Sequence, residues 1–173
     1  MLTELSIELF IIFVLTLANG FFAGSEIAIV SARRSRLDQL AQSGDQGAKQ
    51  AVALAESPGS FLATVQIGIT FIATFSAAFG GARISALLAD WFDTIPSLSK
   101  YADSLALLIV VLFITYLSLV LGELVPKQIA LQHAERYAVL VAPTMSFLSW
   151  VARPLVAVLS GSVNLVFRLL GQS

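Results

Sequence analysis

Three uncharged stretches, residues 9–25, 57–82 and 104–122, divide this chain, and each comes close to or exceeds the roughly 20 residues that an α-helix needs to cross about 30 Å of hydrocarbon. Two of them end at a carboxylate set in glycine-rich apolar sequence. One is Asn19-Gly20-Phe21-Phe22-Ala23-Gly24-Ser25-Glu26; the other is Gly122-Glu123-Leu124-Val125-Pro126-Lys127. An ionised carboxylate at bilayer depth costs a few kcal/mol, so it reads as a functional group with a partner. The pairing points to a cation path.

Composition supports the membrane reading. Apolar residues make up 57% of the chain and charged ones 12%, against roughly 25% charged in a soluble domain, too few to cover a water-soluble globule. The 173 residues fit one domain. The absence of cysteine excludes disulfides, thiolate metal sites and cysteine nucleophiles. The first apolar stretch follows Glu4 and Glu8 rather than a basic segment and outruns a signal-peptide core, so it is expected to be retained. The chain stops at Gly171-Gln172-Ser173 without a stopping feature, and a soluble part following it is expected to have been removed.

The expected architecture is an all-α membrane protein with three transmembrane helices over about residues 5–30, 58–82 and 104–123. A cytoplasmic loop over 33–57 reads as solvated helix, with Gly44 as its break, and Pro58 is placed for a helix start. Gly80-Gly81 permits close packing or a break in the second span, and is a candidate dimer contact. Arg33, Arg34, Arg36 and Lys49 lie between spans one and two, and more basic residues follow span three. These segments are expected in the cytoplasm, with the N-terminus outside and the C-terminus inside. Residues 128–170 fit either a fourth span or a juxtamembrane belt. The belt, two short helices joined at an Arg153-Pro154 bend on the cytoplasmic membrane surface, is the expectation, resting partly on the family resemblance given below, since hydropathy alone favours a fourth span.

Hard cations require oxygen ligands, and Mg²⁺ takes near-octahedral oxygens from one or two carboxylates with neutral groups or water. Asn19 and Ser25 are six residues apart, roughly 120° around a regular helix. Both can face one ion only if the helix distorts at Gly20 or Gly24; otherwise one of them is packing. Glu26 reads as an ion ligand or as a headgroup-level carboxylate beside an arginine. Pro126 strips the Gly122 carbonyl of its helical partner, which makes that oxygen and the Glu123 carboxylate a two-oxygen clamp. The competing reading is an i,i+4 pair of Glu123 with Lys127. In span two, Thr64, Gln66, Gly68 and Thr70 face other helices or a cavity, with Gln66 a candidate ligand. His133 stands alone.

These motifs, with Thr64-Val65-Gln66-Ile67-Gly68-Ile69-Thr70 as the third, resemble the transmembrane domain of the CNNM/CorC family of magnesium transporters, one motif per span over nearly the whole chain. The resemblance implies a homodimer in membrane lipid that exports Mg²⁺ with Na⁺ as coupling ion. It also implies a bacterial inner-membrane location and no enzymatic activity. Carried over residue by residue, it implies a largely dehydrated Mg²⁺ held by Ser25, Gly122 and Glu123, with Gln66 nearby and with Asn19 and Glu26 as candidates for the ion cavity or the Na⁺ site. Bacterial members continue into a CBS-domain pair that binds ATP, absent from this chain, so ATP binding is expected only through those missing domains and no nucleic-acid partner is expected.

Two further function classes remain for comparison. A magnesium-sensing scaffold that regulates another transporter would bind the ion without moving it. An intramembrane hydrolase built on Ser25 lacks a base, because neither His nor Lys lies within a span.

Overall fold

The structure is a computed structural model that describes residues 2–79 and 81–171. Gly80 of the Gly80-Gly81 pair and the terminal Gln172-Ser173 lie outside the described residues. The described residues form eight α-helices and no strand: α1 Leu2–Ser31, α2 Arg34–Gln42, α3 Gln46–Glu56, α4 Pro58–Phe79, α5 Ala82–Asp93, α6 Ala102–Leu119, α7 Val125–Gln132 and α8 Ala134–Leu169. A π-helical turn, Val120–Leu124, joins α6 to α7. Helical structure throughout is what hydrocarbon demands, since each helix satisfies its own backbone polar groups.

Four helical segments, not three, are long and apolar enough to cross a bilayer: Leu5–Ser31, Pro58–Ser76, Ser99–Gln132 and Ala134–Leu169. The expected pair of belt helices is instead the single 36-residue α8, with Pro143 and Pro154 inside it. Each proline removes one donor, and such a loss can kink a helix without ending it. The helix runs through both.

The chain divides into two compact units. The first comprises Met1–Ala23 with Ile69–Gln128. Here α5 folds back on α6 through a 3₁₀ turn, Ser99–Tyr101, burying Ala89 and Phe92 against Ala102 and Ala106. The break between α4 and α5 occurs where Gly81 adopts φ +90°, a conformation that L side chains resist. A Cβ there would also stand 2.9 Å from Val110 Cγ1. The Gly81 amide donates to Glu8 Oε1 at 2.9 Å, so a carboxylate of α1 caps the positive end of α5.

The second unit comprises Gly24–Gly68 with Ile129–Ser173. Gly44, at φ +101°, reverses the chain between α2 and α3, and the Asp45 side chain accepts from the Ala48 amide at 2.9 Å to start α3. The face of α3 carrying Ala48, Ala51 and Leu54 is buried, as is that of α8 carrying Ala138, Val141, Ala142 and Met145, where the two helices pack. Arg34 pairs with Asp38 and Glu56, tying α2 to the end of α3. Its hydrogen bond to Glu56 raises its already high pKa further, so the guanidinium stays charged at any physiological pH. Arg33 Nε donates to Glu135 Oε1 at 2.8 Å.

Candidate functional site

The first unit contains a cavity of about 420 Å³ lined by α1, α4, α6 and the π-turn. Its walls are mainly aliphatic, with Leu15, Ile69, Ile72, Val111 and Ile114 among them, and its polar groups are Thr16, Asn19, Ser76, Thr115, Ser118 and Glu123. Apart from Asn19 and Glu123, sequence reasoning missed these hydroxyl residues. Thr115 and Ser118 could have been found, because three residues on a helix return to the same face.

The π-turn forms where Gly122-Glu123-x-x-Pro126 predicts a disturbance. Residue 126 has no amide hydrogen to give, and the Val125 amide reaches back five residues to the Val120 carbonyl instead of four. The Gly122 carbonyl does not stay open: Asn19 Nδ2 donates to it at 2.8 Å. Glycine eases that close approach, since a Cβ on residue 122 would lie 3.1 Å from the Thr16 carbonyl oxygen. Lys127 Nζ donates to Glu123 Oε1 at 2.7 Å. The i,i+4 pair is therefore present, and both groups of the clamp expected from sequence, the Gly122 carbonyl and the Glu123 carboxylate, have a hydrogen-bonded partner of their own.

The first motif is also corrected. No distortion occurs at Gly20 or Gly24, since α1 is unbroken from Leu2 to Ser31. The glycines serve close approach instead. A Cβ on Gly20 would stand 2.8 Å from Pro126 Cγ, and one on Gly24 would stand 2.6 Å from Tyr137 Oη. Gly24→Ala is therefore expected to weaken α1–α8 packing by about 1–3 kcal/mol, with Tyr137→Phe, which removes the nearest atom, recovering part of it. Thermal melting of the single and double variants checks this; an additive pair would show that the Tyr137 hydroxyl is not the obstacle.

Of the expected site residues, the structure brings together Asn19, Gly122 and Glu123 in the first unit. Ser25, Glu26 and Gln66 belong to the second unit. Ser25 is fully buried on α1 beside Gly24, Glu26 is half-buried, and Gln66 is exposed. Thr64 is buried, with its hydroxyl donating to the Ser60 carbonyl of its own helix at 2.9 Å. His133 lies at the start of α8, exposed. Among the described residues, no group of three or more His, Cys, Asp and Glu side chains could hold a metal. An ion here would rely on hydroxyl, amide and carbonyl oxygens around a single carboxylate.

The family model for the Cyclin M transmembrane N-terminal domain matches residues 10–173. The chain belongs to the CNNM family. It is a multi-pass membrane protein on that ground and on its four span-length apolar segments. Among its CNNM relatives, the UPF0053 protein sll0260 of Synechocystis sp. is 52% identical over 98% of this chain and 38% of its own length. The UPF0053 protein YhdT of Bacillus subtilis is 31% identical over 95% of this chain and 36% of its own. A protein of Haemophilus influenzae named polyamine export protein is 31% identical, over 98% and 39% respectively. This chain thus spans well under half the length of these relatives.

Proposed function

We propose that this CNNM chain is the membrane part of a cation exporter, with Mg²⁺ as cargo and Na⁺ entry as the driving force. The observation that carries the reading is the Glu123 carboxylate in the wall of a cavity within membrane-length helices, beside an amide and several hydroxyls. A charge in that position is costly to maintain without a role. The donors fit a hard cation: Asn19 commits its nitrogen to Gly122, and the residue lines the same cavity as Glu123, Thr115 and Ser118. An octahedral Mg²⁺ shell completed by retained water suits one carboxylate with neutral oxygens. The concentration of Arg and Lys in residues 33–49 supports an orientation with that segment in the cytoplasm. A homodimer, and nucleotide binding by the rest of a longer protein, belong to the same proposal.

A second reading draws on a different observation. Most of the cavity wall is aliphatic, which a small hydrated dication does not use and an alkyl polyamine does, with an ammonium group on Glu123. The relative named for polyamine export favours testing it.

The test is flux in proteoliposomes containing a Mg²⁺ indicator, with and without a Na⁺ gradient, and in parallel with labelled spermidine. Mg²⁺ flux that follows the Na⁺ gradient and falls at least tenfold, roughly the loss expected of one charged ligand, in Glu123→Ala is the expected result. Ser25→Ala examines the contribution that the family resemblance assigns to that hydroxyl. Spermidine flux without Mg²⁺ flux would select the second reading. Mg²⁺ binding without any flux would select a sensor.

A further inference from the structure

We propose that Lys127 is a tethered counter-ion that competes with the cargo cation for Glu123. The inference rests on the reading of Glu123 as the cargo carboxylate and adds the partner that this carboxylate holds between transport events.

Three observations lead to it. Lys127 Nζ donates to Glu123 Oε1 at 2.7 Å, and the two side chains keep only 28% and 40% of their surface accessible. Glu123 lines the cavity of the first unit, whereas Lys127 does not. The pair straddles the end of the π-turn, with Glu123 inside it and Lys127 in the first turn of α7. A carboxylate without a counter-charge is strongly disfavoured in an apolar setting, so a site that empties on each cycle requires a replacement cation. A lysine one turn away supplies it: its flexible stem lets the ammonium swing away, and the tether keeps its local concentration high. A cation that reaches the carboxylate from the cavity side meets a like charge already on it. The two repel, so one must leave. Exchange of Lys127 for cargo then proceeds without the carboxylate ever standing bare, and the affinity for cargo is set partly by how firmly Lys127 holds on.

A lysine that merely supported the helix would behave in the opposite way, since its removal would loosen the site and weaken binding. Isothermal titration of the purified chain in detergent with MgCl₂ separates the two. Lys127→Gln, and Lys127→Met, which keeps most of the aliphatic stem in place if the polar variant folds poorly, are expected to bind Mg²⁺ about tenfold more tightly than the parent, the order of effect of one charge-assisted hydrogen bond. Lys127→Arg is expected to bind near the parent level. In a Glu123→Gln background, binding weakens and Lys127→Gln no longer tightens it. Unchanged or weaker binding in both Lys127 variants, with Glu123→Gln still impaired, would overturn the competition while leaving the cargo carboxylate in place. Unimpaired binding in Glu123→Gln would instead overturn the reading of Glu123 itself, and this proposal with it.

Discussion

Gly47→Ala is expected to lower the melting temperature of the chain by roughly 5 °C or more, corresponding to the upper part of the 1–3 kcal/mol range for overpacking at a tight contact. The reason lies in α8. Pro143 has no amide hydrogen, so the Val139 carbonyl four residues earlier has no helical donor. The first turn of α3 comes against that carbonyl at Gly47, where a Cβ would fall on the Val139 oxygen and 2.9 Å from Val139 Cγ1. A side-chain obstacle can rotate away, whereas a helix carbonyl cannot, so α3 as a whole must withdraw from α8. Its other contacts there, through Ala48, Ala51 and Leu54, would loosen with it. Melting curves in detergent check the prediction, and an unchanged midpoint would mean that the α3–α8 packing is softer than its geometry indicates. Gly44→Ala supplies the comparison: it meets no atom within 4 Å, and its cost arises only from its φ of +101°.

Pro126→Ala should separate stability from transport. The new amide at position 126 can donate to the Gly122 carbonyl in the α-helical register, and removing an interior proline relieves up to about 3 kcal/mol. Part of that gain is offset where the Pro126 ring packs at Gly20. The midpoint of melting is expected to stay level or rise. Flux is expected to fall at least tenfold, on the order of one lost well-placed polar contact, because a regular helix across Val120–Leu124 withdraws the Gly122 carbonyl from Asn19 and re-aims Glu123. A destabilised variant with normal flux would show that the π-turn is incidental to the site.

How far the sequence could be read differs between elements. The uncharged stretches located α1, α4 and α6, because hydrocarbon leaves the chain no other backbone arrangement. The turn at Gly44 and the start of α4 at Pro58 follow from local backbone preference. The continuity of α8 was not legible: Arg153-Pro154 has the local signature of a bend, and the helix nevertheless continues through Pro154 to Leu169. At the site, Pro126 identified the carbonyl that would lose its partner, but the group that meets it lies on α1, 103 residues away in the chain, and no local pattern specifies such a pairing. The glycines of the first motif were legible as special and not in their use. Sequence suggested unwinding; the structure uses them to admit Pro126 at Gly20 and Tyr137 at Gly24.

The π-turn also has a consequence for register. It holds one residue more than an α-helix needs over the same rise, and, because Pro126 in the first turn of α7 has no amide hydrogen to give, α6 is the regular helix toward which that surplus could move. Passing the extra residue along by one position would turn the side chains in between by about 100° around the axis, while only a few backbone hydrogen bonds change partners. Glu123 sits in that interval. A slip in helical phase at this turn would therefore re-aim Glu123 without a loop to open or a helix end to fray.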